Sequence, residues 1–70
     1  MHLIFNRDFY NLRAIKNTIN AYNGLACFKI LENKKAIRVA VKNISKEVKD
    51  VIEDEFYNYV LAEMKNDQNA

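Results

Sequence analysis

Proline and tryptophan are absent from the sequence, and glycine, cysteine and histidine each occur once. With no proline and only Gly24 to punctuate the chain, long irregular loops are not expected. A single glycine also cannot build a phosphate-cradling loop, which needs several glycines followed by Lys and Ser/Thr. Cys27 has no second cysteine to pair with, so an intramolecular disulfide and a Cys-x-x-Cys metal pattern are excluded. On its own it reads as a small buried hydrophobe. His2 is the sole histidine and lies at the terminus, and no acidic run has calcium-loop spacing, so no metal site is expected. A nucleophile–base pair would need strands to bring Cys27 and His2 together, and no glycine-rich turn offers an oxyanion hole. No catalytic residue and no cofactor is therefore expected.

Long apolar runs are also lacking. The opening MHLIFNRD is broken by Asn6, Arg7 and Asp8 and is too short for a signal-peptide core. No window reaches the length of a membrane span, and a cytoplasmic location is the expectation. Nor does one sign of charge dominate. Eleven Lys and Arg residues face nine Asp and Glu residues, for a net charge of +2, so there is no dense polycation for a nucleic-acid backbone.

What is present is a folded composition: half the residues are apolar and 29% are charged, which is the balance of a globular domain rather than a disordered one. Seventy residues allow one small core, for which oligomerisation is a common supplement. The clearest pattern is Lys35–Lys42 (KAIRVAVK), where Ile37, Val39 and Val41 alternate with Arg38, Ala40 and Lys42 in the period of a strand. Leu25–Glu32 (LACFKILE) is a second strand, separated from the first by the polar break Asn33-Lys34. His2–Asn6 reads as a short strand with Leu3 and Phe5 on one face. Asp8 is placed to cap a helix over Phe9–Tyr22, with Leu12, Ile15, Ile19 and Tyr22 at helical spacing and Asn23-Gly24 as the stop. A second helix begins at Asn43 or Ser45, with Ser45 placed to cap it, followed by the stripe Val48, Val51, Ile52, Phe56, Tyr59 and Val60, with Tyr57, Leu61 and Met64 flanking it. This helix is expected to fray after Lys65. Residues 1–66 then make a single α+β domain and 67–70 a flexible polar tail.

The order strand, helix, strand, strand, helix predicts a two-layer β-α-β-β-α fold. Placing KAIRVAVK in the centre gives every strand a partner: a three-stranded mixed sheet of order 1-3-2, a truncated ferredoxin-like arrangement with both helices on one face. Phe28, Ile30, Ile37, Val39 and Val41 would form the helix-side core. The uncovered face would carry Leu25, Cys27, Leu31 and Ala40, with Ile4 beside them, interrupted by Lys29 and Arg38. Burying one Leu-sized side chain contributes roughly 1.5–3 kcal/mol, so an apolar open face on so small a domain points to a protein or peptide partner, or to a second copy. The alternative is that the Lys29 and Arg38 stems cover the apolar atoms. Nucleic acid is the weaker partner class. Lys29, Arg38 and Lys42 share a face, but Phe28 falls on the opposite one, and no aromatic platform for bases is evident. Glu53, Asp54 and Glu55 are consecutive on a helix and point in different directions, as solvated residues do.

The succession Phe9-Tyr10-Asn11-Leu12-Arg13-Ala14-Ile15, then Ala21-Tyr22, Ile37-Arg38-Val39 and Glu55-Phe56-Tyr57-Asn58-Tyr59-Val60-Leu61 resembles the small HxsD-type proteins of His-Xaa-Ser peptide-modification systems. Tyr10, Tyr22, Phe56 and Asn58 match that family's short motifs, and the likeness runs from about Phe5 to Met64. The resemblance implies a non-catalytic accessory protein that accompanies a radical S-adenosylmethionine enzyme and binds that enzyme or its substrate peptide. Core packing is the simpler role for Tyr10 and Phe56. Asn58, poorly suited to a helix interior, is expected to make a capping or cross-element hydrogen bond.

Overall fold

The structure, a computed structural model, describes residues 1–68. Its elements run β1 (His2–Asn6), α1 (Leu12–Ala21), β2 (Cys27–Glu32), β3 (Ala36–Lys42) and α2 (Ile52–Gln68). The strand order is β1-β3-β2, with the alternating strand in the centre as its pattern required. Both pairings are antiparallel. The sheet is therefore antiparallel throughout rather than mixed, because β3 lies between the two strands that share a direction.

Register puts two sets of side chains on opposite faces. Leu3 and Phe5 of β1 and Ile37, Val39 and Val41 of β3 are buried against Ala14 and Ile15 of α1 and Ile52, Phe56 and Val60 of α2. Both helices thus cover one face. Phe28 and Ile30 pack on this core only partly buried, since they belong to an edge strand, and Ala26 joins it from the residue before β2. Aromatic rings knit the layers together: Phe5 lies 5.0 Å from Tyr10 and 4.7 Å from Tyr57, and Phe28 stacks on Phe56 at 5.5 Å. Of the expected helical stripes, Val51, Tyr59 and Leu61 are instead 38–49% exposed.

The helix ends depart from the sequence reading, and local hydrogen bonds explain how. Asp8 does not cap α1. Its N–H donates to the Asn6 side chain at 2.8 Å, while the Phe9 and Tyr10 N–H groups donate to the Asn6 carbonyl. The chain is spent on a turn after β1, and Asn11 caps the helix by accepting from the Ala14 N–H at 2.7 Å. Gly24 follows the end of α1 without a positive φ; the left-handed residue is Asn43, at φ 53°. Ser45 does not open α2 either. Its N–H donates to the Leu25 carbonyl at 2.7 Å, and the following residues form tight turns with i-to-i+3 bonds from Val48 to Ser45 and from Val51 to Val48. The first i-to-i+4 bond there, from Ile52 to Val48, brings the chain into the helix. At the other end α2 continues to Gln68 rather than fraying after Lys65. The polar tail expected at 67–70 is thus helical at its first two residues, and Asn69 and Ala70 lie outside the described residues.

The β2–β3 hairpin is closed by Asn33, whose side-chain oxygen accepts from the Lys35 and Ala36 N–H groups, each at 2.8 Å. Arg7 fastens this turn to the end of β1, donating to the Asn33 carbonyl at 2.9 Å and to Glu32 Oε2 at 3.3 Å. Among the described residues no helix is long and apolar enough to cross a membrane.

Candidate functional site

The face of the sheet away from the helices is uncovered. β1 contributes His2, Ile4 and Asn6, β2 contributes Cys27, Lys29 and Leu31, and β3 contributes Ala36, Arg38, Ala40 and Lys42. Register decides who meets whom. Ala40 has His2 on one side and Lys29 on the other, Arg38 lies between Ile4 and Leu31, and Lys42 stands opposite Cys27. The small Ala40 is the one residue of this face that is buried, at 9% exposure. It forms the floor of an open depression of about 350 Å³, walled by His2, Cys27, Lys29, Leu31 and Lys42 together with Phe28. Beside the depression, Ile4 and Leu31 stay 56% and 43% exposed and flank Arg38, a spacing at which directly opposed side chains touch.

Of the sequence-expected site residues, Cys27, Lys29, Leu31 and Ala40 come together in the depression. Arg38 shares the face but stands outside it. Leu25 does not belong to the face. Its N–H donates to the Tyr22 carbonyl and its own carbonyl accepts from Ser45, so it is held in the turn before β2 and half-buried. Cys27 is exposed rather than buried, because β2 turns its odd-numbered residues away from the helices. Its sulfur accepts from the Asn43 amide at 3.8 Å. His2 and Lys42 complete the wall, although neither is among the expected site residues. Alternation along β1 and β3 already puts both on this side.

The charge on the face has one sign. Lys29, Arg38 and Lys42 project from it, no strand contributes a carboxylate to it, and the ion pair found among the described residues, Arg7–Glu32 at 3.3 Å, lies elsewhere. Acidic residues gather instead in the first turn of α2 as Glu53, Asp54 and Glu55.

The two borders of the sheet differ. Met1 and Val41 exchange bonds, at 3.1 Å from Met1 to Val41 and 2.8 Å in return, so odd-numbered β3 residues bond β1 and even-numbered ones bond β2. The outward-facing backbone groups are consequently those of His2, Ile4 and Asn6 on β1 and of Phe28, Ile30 and Glu32 on β2. On β1 they are occupied at Ile4 and at the Asn6 carbonyl. The Tyr57 hydroxyl accepts from the Ile4 N–H at 3.1 Å and donates to the Ile4 carbonyl at 3.2 Å, and the Asn6 carbonyl serves the following turn. On β2 no such partner is found among the described residues. Tyr57 was legible in the sequence only as a flanking apolar residue. The signal that could have found it is a phenol, which needs a polar partner, at a position where phenylalanine would fill the same space.

Tyr10, Tyr22, Phe56 and Asn58, which carry the resemblance, lie in α2 or in the segments that pack beside it rather than on the uncovered face. Phe56 is fully buried, and Tyr10 packs edge-on against Phe5. Tyr22 sits between Phe56 and Tyr59 at 5.8 and 5.7 Å. Burial raises the Tyr22 phenol above its usual pKa, and the nearby Glu55 and Tyr59 raise it further. Asn58 is exposed, and the cross-element hydrogen bond expected of it is not found among the described residues. Compared with protein-family models, with curated proteins and with solved structures, the chain matches none.

Proposed function

We propose that this protein is a non-catalytic binding module that docks a protein or peptide on the uncovered side of its sheet. The observation that carries the reading is the depression over Ala40, set in a face where Ile4 and Leu31 remain exposed while both helices occupy the opposite side. Apolar surface gathered around a concavity, with polar groups at its rim, is the anatomy of a docking site. A cysteine nucleophile needs a base within hydrogen-bond reach; the partner of the Cys27 sulfur is the amide of Asn43, which cannot serve as one. The resemblance to HxsD-type proteins supplies the class of partner, a radical S-adenosylmethionine enzyme or the peptide that it modifies.

A homodimer joined through the same face is the second reading, favoured by the same exposed Ile4 and Leu31. Two experiments separate them. Leu31→Asp and Ala40→Asp should leave the circular dichroism spectrum unchanged and abolish co-elution with the proteins encoded beside this one. Undiminished co-elution of both variants would defeat the docking reading. Sedimentation over a concentration series decides the second: mass doubling in the parent and not in Leu31→Asp identifies self-association.

A further inference from the structure

We infer that the ligand of this surface is an extended acidic peptide segment that adds to the sheet as a fourth strand along β2. The inference rests on the docking reading above and specifies where the occupant lies and what it carries.

The position follows from the backbone. A strand can join a sheet only where N–H and C=O groups point outward unpaired. Along β1 that border is closed at Ile4 by the Tyr57 hydroxyl and at Asn6 by the turn that follows. Along β2 the outward groups of Phe28, Ile30 and Glu32 have no partner among the described residues, and they are spaced to bond alternate residues of an added strand.

The chemistry follows from the side chains. Every second residue of such a strand would lie on the uncovered face beside Cys27, Lys29 and Leu31, at the lip of the depression. Lys29 would be its direct neighbour, with Lys42 and Arg38 one strand further in. Among the described residues no carboxylate pairs with these cations. Lysine on an edge strand repels indiscriminate pairing, and here it also selects: carboxylates on the incoming strand would be attracted, whereas lysines would not. A second copy is a poorer occupant. Joining β2 to another β2 would place Lys29, Arg38 and Lys42 of both chains on one continuous face with no counter-charge. The chain's own acidic run, Glu53–Glu55, is held in a helix and cannot serve as a strand.

The test uses the full chain, labelled with ¹⁵N, and three synthetic ten-residue probes: alternating Val-Glu, alternating Val-Lys, and the Val-Glu peptide N-methylated at every second residue. The Phe28, Ile30 and Glu32 amides are expected to exchange with solvent at least about tenfold more slowly in the presence of Val-Glu, since each backbone bond suppresses opening by an amount of that order. They should not slow with Val-Lys or with the methylated peptide. Lys29→Glu should weaken Val-Glu binding by roughly fivefold, the scale of one exposed ion pair, and should let Val-Lys slow the same amides. Chemical-shift changes on the uncovered face without slowing of these three amides would overturn strand addition while leaving the docking reading intact. Equal slowing by Val-Glu and Val-Lys would overturn the acidic preference. Slowing that follows protein concentration rather than peptide would make the occupant a second copy and overturn the proposal. No response to any probe, in a chain whose co-elution with partner proteins is still lost in Leu31→Asp, would overturn the proposal alone.

Discussion

The hydroxyl of Tyr57 closes the backbone of Ile4 from both sides, accepting its N–H at 3.1 Å and donating to its carbonyl at 3.2 Å. A helix side chain 53 positions away thereby performs the task of a neighbouring strand. Tyr57→Phe keeps the ring against Phe5 and removes only these two bonds. The freed groups are exposed, so water replaces the hydroxyl and the expected loss of stability is modest, about 0.5–1.5 kcal/mol. Urea unfolding should show a lower midpoint with an unchanged slope. An unaltered midpoint would mean that the two bonds contribute nothing.

Asn11 and Asp8 offer a paired test of where α1 begins. Asn11→Ala removes the acceptor for the Ala14 N–H and should cost about 1 kcal/mol, the usual effect of losing a cap. Asp8→Ala touches no cap and should stay within about 0.5 kcal/mol of the parent. The reverse ranking in thermal melts would move the helix start back to Asp8.

Gly24 and Asn43 should respond to alanine in opposite directions. A Cβ at Gly24 would meet no atom within 4 Å, and the backbone there has no positive φ. Gly24→Ala is expected to stabilise by about 0.4–1 kcal/mol by restricting the unfolded chain. Asn43 holds φ at 53°, a conformation that asparagine tolerates better than alanine, so Asn43→Ala should destabilise by roughly 1 kcal/mol. Opposite shifts in melting temperature are the readout.

Tyr22 gives the alkaline limb of stability a direction. Its phenol titrates above the ordinary value of 10.0, first because of burial and then because of Glu55 and Tyr59. Between the unfolded and folded values the unfolded chain has lost the proton and the native one has kept it, so stability falls as pH rises. The contribution is intact below pH 10.0 and is lost as pH climbs through the folded value. Denaturation midpoints for Tyr22→Phe should decline less steeply above that point than those of the parent. Parallel declines would remove Tyr22 as a cause.

Strand placement and sheet order were legible because alternation is a property of the chain itself. Leu3 with Phe5, and Ile37 with Val39 and Val41, declare a buried face wherever the strands pair, and the central position follows from the strongest pattern. The uncovered face was legible by subtraction from the same residues. Helix starts were not, because capping residues compete. Asn6, Asp8 and Asn11 all suit a cap, and only the turn that Asn6 makes decides which one remains free to do so. Leu25 was assigned to the site by extending β2 two residues too far, across a stretch that the bond from Ser45 holds as a turn. The closure of β1 was illegible for a different reason. It depends on where a helix crosses a strand distant in sequence, which no local pattern records.

That unequal treatment of the two borders has a bearing on solubility. Fibrous stacking requires each unit to accept a neighbour on either flank, and here one flank is already taken by a phenol. Lateral growth through paired backbones is therefore obstructed at Ile4 on the β1 border, and the β2 border is the one left for an added strand.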